Sequence, residues 1–290
     1  MSARLIDAQH LKQLLDADSN LLIFDVRANL SDPSAGINAY KQAHIPGAFH
    51  LDIQTQLSGA ATADSGRHPL PSRSHLLKLL QSLGLRPGRP VVVYDANDSS
   101  FAARLWWLLR WLGHEQVALL NGGWQAWLEA DGPSTSEGSS NAEMVSSPEG
   151  RQTASSYPAK AQMPTIEMGQ LQQNIAEPNL LLIDARSAER FRGEIEPIDP
   201  VAGHIPGARN RPFIANLDSN YRFKAPRQLR HEFTELITGF TPENVVHQCG
   251  SGVTACHNLF AMELAGLKGS ALYPGSFSQW CQVATNPISK

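Results

Sequence analysis

The chain is expected to fold as an α/β protein of two tandem domains, each a mostly parallel central sheet flanked by helices. Three observations carry that expectation. Short apolar runs alternate with segments of helical spacing, the pattern of strand–helix–strand units. A set of landmarks occurs twice in the same order, about 155–160 residues apart. A stretch rich in Ser, Gly and Pro separates the two copies.

In chain order, residues 1–18 read as a mixed amphipathic helix, with Leu5, Ile6, Leu11, Leu14 and Leu15 among polar residues. Residues 21–26, 91–95 and 117–120 are strand-like, and 76–83 and 102–112 have helical spacing. Trp106, Trp107 and Trp111 fall on one such helix and read as core or interface packing. Residues 132–163 form a surface linker with a mobile middle. The repeat divides the chain into a first domain, 1–131, and a second, 164–290.

The duplicated landmarks are specific. Leu21-Leu22-Ile23-Phe24-Asp25-Val26-Arg27 reappears as Leu180-Leu181-Leu182-Ile183-Asp184-Ala185-Arg186. His44-Ile45-Pro46-Gly47-Ala48 reappears as His204-Ile205-Pro206-Gly207-Ala208. Val91 to Asp95 aligns with Val245 to Cys249, and Gly122 to Trp127 with Gly275 to Trp280. Because His44 and His204 occur in both copies, they read as structural residues, as do Asp25 and Asp184. The asymmetry is Asp95 opposite Cys249: only the second copy has a nucleophile at this place.

Cys249 ends an apolar run, and Cys249-Gly250-Ser251-Gly252-Val253-Thr254 leads into a helical segment, 254–265. Backbone N–H groups at such a strand-to-helix turn have no partner in the helix and, with the helix dipole, stabilise an anion. A thiolate is such an anion, so Cys249 is expected to be nucleophilic near neutral pH. The alternative is a buried, inert cysteine, the common fate of free thiols. Cys256, on the helix, reads as inert.

The net charge of -3 gives no reason to expect nucleic acid or an anionic membrane as partner. Three cysteines in 290 residues make no disulfide framework and suggest a reducing compartment. No run approaches membrane-spanning length, and the start lacks a signal peptide's apolar core, so the cytoplasm is expected. No ligand spacing for a metal, phosphate loop or dinucleotide fingerprint is present, so no cofactor and no metal is expected.

These landmarks resemble the tandem-domain rhodanese family of sulfurtransferases over nearly the whole chain outside the linker. The loop Cys-Gly-Ser-Gly-Val-Thr is similar to that of its 3-mercaptopyruvate subgroup. The resemblance implies an inactive first domain and a catalytic second one. It implies transfer of sulfur through a persulfide on Cys249, from a small-molecule donor to cyanide or to a thiol acceptor such as thioredoxin. It gives Arg190 as the ligand of the donor's carboxylate, and His68 as partner of Ser251 in proton transfer. Arg186 is a second carboxylate candidate. The bland readings are ion pairs of Arg186 with Asp184 or Glu189, and of Arg190 with Glu194. Gly250, Gly252, Val253 and Thr254 are expected to offer backbone N–H groups to the transferred sulfur.

One departure is evident. Animal enzymes of the subgroup carry a second arginine before the Gly-His-Ile-Pro motif. This chain has Glu196-Pro197-Ile198-Asp199-Pro200 there, and Arg67, in the turn Gly66-Arg67-His68-Pro69-Leu70-Pro71, is the replacement. The family's acidic partner for the histidine falls at Gln54, beside Asp52.

The absence of charge in the loop favours 3-mercaptopyruvate, with one carboxylate remote from its sulfur, over the compact dianion thiosulfate. Thiosulfate:cyanide transfer and a persulfide relay or binding module for a protein partner remain as alternatives. A cysteine phosphatase would need an arginine where the loop ends in Ala255.

Overall fold

The computed structural model describes residues 3–17, 20–138 and 157–290. They fall into two compact units. One comprises Ala3–Leu57 and Pro71–Gln162, the other Ser58–Leu70 and Met163–Lys290. The short segment Ser58–Leu70 therefore packs with the carboxy-terminal half of the chain, not with its sequence neighbours.

The amino-terminal unit is a parallel sheet of β1 (Leu5–Ile6), β2 (Leu22–Asp25), β3 (Ala48–His50), β4 (Val91–Tyr94) and β5 (Val117–Leu120), in the order β1-β5-β4-β2-β3. Its helices are α1 (Ala8–Asp16), α2 (Ala35–Gln42), α3 (Arg73–Ser82), α4 (Ala102–Leu112) and α5 (Gly123–Glu129). β2 and β4 are buried at every residue, as strands covered on both faces must be. α4 is buried nearly all round, including Trp106, Trp107 and Trp111.

The amino terminus corrects the sequence reading. Leu5 and Ile6 pair with Leu119 and Leu120, and the helix begins only after Asp7, whose carboxylate accepts the His10 N–H at 2.8 Å. An aspartate with that bond is an N-cap, so the apolar pair before it is free to join the sheet. Positions 1, 2 and 18 of the expected helix lie outside the described residues, as does the linker from 139 to 156.

The carboxy-terminal unit repeats the plan with β6 (Leu181–Asp184), β7 (Arg209–Asn210), β8 (Val245–Gln248) and β9 (Ala271–Leu272), all parallel, in the order β7-β6-β8-β9. α6 (Met168–Ala176), α7 (Ala188–Phe191), α8 (Pro226–Leu236), α9 (Ala255–Leu264) and α10 (Ser276–Trp280) surround it. Its core gathers Leu171, Leu182, Ile205, Val246, Tyr273, Phe277 and Trp280. No described helix is long and apolar enough to cross a membrane.

The duplicated motifs are duplicated structures. His44 Nδ1 meets the Tyr40 carbonyl at 2.7 Å and its ring stacks on Tyr40. His204 Nδ1 meets the Phe191 carbonyl at 2.8 Å and its ring stacks on Phe191. Trp127 donates to Pro133 O at 2.8 Å, and Trp280 to Pro287 O at 2.9 Å.

Candidate active site

Cys249 stands at the carboxyl end of β8, the side of a parallel sheet on which ligands bind. The residues after it turn the chain from sheet to α9. Gly252 makes that turn possible. Its φ is +80°, and a Cβ there would lie 2.6 Å from the Pro274 carbonyl oxygen. With the chain bent this way, the Gly252 N–H donates to Cys249 Sγ at 3.2 Å. Cys249 itself is 2% exposed.

The loop is fixed from behind by the start of α10. Phe277 N–H donates to Cys249 O at 3.0 Å and Ser278 N–H to Gly250 O at 2.9 Å. Ser276 adds a third tie: its hydroxyl accepts the Cys249 N–H at 3.2 Å and donates to Tyr273 O at 3.0 Å. Its φ of +53° is a left-handed conformation that glycine adopts far more readily than serine. The aligned residue in the other half is Gly123, with φ +58°. Ser276 was missed in the sequence, where a serine aligned with a glycine was its only signal.

Segment Ser58–Leu70 brings Arg67 and His68 to this loop. Arg67 N–H donates to Ser278 Oγ at 3.1 Å, and the Gln279 amide donates to Asp64 O at 2.7 Å. His68 Nδ1 lies 2.8 Å from Ser251 Oγ, and both residues are buried. Asp52, by contrast, spends Oδ1 on its own turn, accepting from the N–H groups of Gln54 and Thr55 at 3.0 and 2.7 Å.

Two guanidinium groups flank the loop at Gly250. A Cβ on Gly250 would lie 2.9 Å from Arg67 Nη2 and 3.6 Å from each Arg190 Nη. The loop itself is uncharged, yet its rim is lined with cations. Both already hold carboxylates. Arg190 binds Glu196 through Nη2 at 2.7 Å and Nε at 3.1 Å, and Asp199 through Nη2 at 3.1 Å. Arg67 is ion-paired with Asp199. The sequence alternative that paired Arg190 with Glu194 is replaced, since Glu194 pairs with Arg192 on the surface.

The two carboxylates differ in how they are held. Glu196 Oε1 also accepts the N–H groups of Ile198 and Asp199, each at 3.0 Å. Burial works to raise the Glu196 pKa, but the Arg190 bond and those N–H groups outweigh it and hold it below the usual value. Asp199 goes the other way. Burial raises its pKa, against the pull of the Arg67 charge.

Arg186 does not line the site as a free ligand. Its side chain is 1% exposed and locked to Asp184, at 2.7 Å through Nη2. Nη2 also donates to Gly203 O at 2.7 Å, Nη1 reaches Glu196 at 3.3 Å, and the group lies over the Phe277 ring. Arg27 repeats this in the other half, with Asp25 at 2.6 Å, Ala43 O at 2.7 Å and the Trp124 ring beneath. A device present in both halves is a clamp of the fold, which corrects the expectation of Arg186 as a carboxylate ligand.

Among the remaining loop residues, Val253 is buried, and its carbonyl accepts the Cys256 N–H at 3.1 Å. Thr254 caps α9, and its carbonyl accepts the His257 N–H at 3.1 Å. Cys256 Sγ donates to Gly252 O at 3.4 Å, and all three cysteines are free and buried.

The model of the rhodanese-like domain matches residues 7–130 and 167–283. A probable 3-mercaptopyruvate sulfurtransferase of Pseudomonas aeruginosa is 44% identical over 99% of this chain and 98% of its own. A putative thiosulfate sulfurtransferase of Mycobacterium tuberculosis is 36% identical over 99% of this chain and 96% of its own. The solved 3-mercaptopyruvate sulfurtransferase of Leishmania major superposes with a TM-score of 0.82 at 28% identity, covering 99% of this chain and 76% of that one. With two copies of the domain in one chain, this protein belongs to the rhodanese-like family.

Proposed function

We propose that this protein is a sulfurtransferase that moves sulfur from 3-mercaptopyruvate to cyanide or a thiol through a persulfide on Cys249. The observation that carries the proposal is the seat of the sulfur. Cys249 Sγ accepts a backbone N–H at the end of a parallel strand, beside two guanidinium groups and a Ser251–His68 pair. Full-length relatives bearing sulfurtransferase names support it.

In the first step the Cys249 thiolate attacks the donor's sulfur. An S–S bond forms, the donor's C–S bond breaks, and its electron pair leaves as pyruvate enolate. The enolate takes up a proton, and the Ser251 hydroxyl, 2.8 Å from His68, is the group suited to deliver it. In the second step cyanide attacks the outer sulfur, giving thiocyanate and the Cys249 thiolate. A thiol acceptor takes the same sulfur as a persulfide, and thioredoxin is the candidate protein. N–H groups of the loop from Gly250 to Thr254 would hold the outer sulfur's charge. Arg190 and Arg67 are the carboxylate ligands in this scheme, because a guanidinium fork matches a carboxylate. The amino-terminal repeat has Asp95 at the cysteine position and supplies no nucleophile; its part is to contribute Arg67 and His68. The cytoplasm is the proposed compartment, in keeping with three free thiols.

The test is sulfur transfer to cyanide with 3-mercaptopyruvate and thiosulfate compared side by side, and Cys249→Ser as control. A higher kcat/KM for 3-mercaptopyruvate, abolished in Cys249→Ser, is the expected result. A preference for thiosulfate would overturn the donor. Transfer retained in Cys249→Ser would overturn the mechanism.

A further inference from the structure

Among the described residues, the two cations that border Gly250 belong to a cluster in which the chain's own anions match the charge. Arg67, Arg186 and Arg190 face Asp184, Glu196 and Asp199 in one connected set of ion pairs. A carboxylate arriving from solution therefore meets no surplus positive charge. Arg186 is committed to Asp184, and Glu196 is fastened by two backbone N–H groups besides its arginines. Asp199 is different. Among the described residues, its carboxylate is hydrogen-bonded to Arg67 and Arg190 alone, the two groups that border Gly250.

The segment carrying it is suited to yield. Residues 195–203 form neither helix nor strand, and Ile195, Ile198 and Val201 on it are 54%, 55% and 40% exposed. Few apolar contacts hold such a stretch in one place. Asp199 itself is buried, with its side chain only 1% exposed, so it occupies space inside the site.

We infer that Asp199 is a specificity-determining residue. It occupies the position of the donor's carboxylate between Arg67 and Arg190, and the donor must displace it to bind. The inference rests on the sulfurtransferase reading for the donor's identity, but not for the competition itself. An internal carboxylate competing for the same two cations lowers apparent affinity by the fraction of molecules in which it is displaced. It also disfavours any anion that cannot present a planar carboxylate to the guanidinium fork. Asp199 thus acts by exclusion, where Arg190 acts by attraction.

Steady-state transfer to cyanide in the wild type and in Asp199→Asn tests this. The KM for 3-mercaptopyruvate is expected to fall on the order of tenfold, with the gain carried by KM. An unchanged or increased KM overturns the inference, the increase meaning that Asp199 positions the arginines for the donor. Asp199→Ser, which also removes the charge, serves if the asparagine variant fails to fold. Calorimetric titration with pyruvate, on the same proteins, separates this inference from the functional reading. If neither protein moves sulfur from either donor, the sulfurtransferase reading fails, and pyruvate binding alone decides. Tighter binding in the variant sustains Asp199 as the competitor; equal or weaker binding rejects it.

Discussion

The loops that follow β4 and β8 share a backbone and differ in what ends the strand. In the carboxy-terminal unit, Cys249 O and Gly250 O accept N–H groups from the start of α10. In the amino-terminal unit, Asp95 O and Ala96 O accept the same bonds from Trp124 and Gln125, at 2.8 and 2.9 Å. The side chains then diverge. The Asp95 carboxylate takes three backbone N–H groups, from Ser99 at 3.0 Å, Phe101 at 3.0 Å and Ala102 at 3.1 Å. Cys249 Sγ takes one, from Gly252. The carboxylate thus gathers three donors of its own loop, whereas the sulfur takes a single one.

Exchanging the two residues should break that comparison most sharply. Cys249→Asp is expected to lower transfer to cyanide by about 10⁴-fold or more, as loss of a nucleophile does. Adding Asp95→Cys should restore nothing, because Arg67, His68 and Arg190 belong to the other unit. Recovered activity in the double variant would mean that the loop alone makes the site.

Next come the two buried clamps. Arg27→Gln and Arg186→Gln each leave a buried aspartate without its main cation, and each should cost about 3–5 kcal/mol of stability. Denaturant unfolding reads both. If Arg186→Gln instead keeps wild-type stability and raises the donor's KM, Arg186 returns to the list of carboxylate ligands.

The smallest effect lies in pH dependence, where the two central strands should respond with opposite sign. Burial, and then the Asp98 charge, push Asp95 from 3.8 up to about 7, although three N–H donors pull it down. The folded state therefore holds the proton more tightly, and stability from this group falls as pH rises from about 4 to 7. His247, beside Cys249 on β8, is driven by burial from 6.5 to about 3. Its unfolded state binds the proton more tightly, so stability from it rises over pH 3 to 6.5. Hydrogen exchange of β4 and β8 amides, corrected for intrinsic rates, should show β4 more protected at pH 5 than at pH 7 and β8 the reverse. Parallel responses in the two strands would sink the assignment. His247→Val, matching Val93 of β4, should remove the response of β8.

Much of the frame was legible because it is written twice. Two sheets, the strand-end cysteine and the paired histidines all followed from repeated apolar runs and matched motifs. Residues 117–120 and 102–112 fold as the patterns said. The start of the chain was misread because a helical stripe of leucines looks the same whether or not an aspartate cap interrupts it. The geometry of the candidate site was legible where it is local, as in the turn of Cys249, Ser251 and Gly252 at the strand end. It was least legible in the charges. Arg186 and Arg190 are four positions apart, yet only the partner each finds in space separates a clamp from a rim cation. Glu196 and Asp199 stood in the sequence only as a place where an arginine was missing. Their role as counter-charges to Arg190 depends on a fold of the 195–203 segment that no periodicity encodes.

The affiliation of Ser58–Leu70 bears on how such a chain can evolve. A duplicated gene is often free to lose the copy that lacks the nucleophile. Here that copy encodes the histidine and the arginine that stand at the other copy's sulfur. Deleting it would leave 164–290 with a nucleophile but without its hydroxyl's imidazole partner or its second rim cation. The half that lacks the cysteine is thus tied to the other by thirteen residues of its own sequence, Ser58–Leu70.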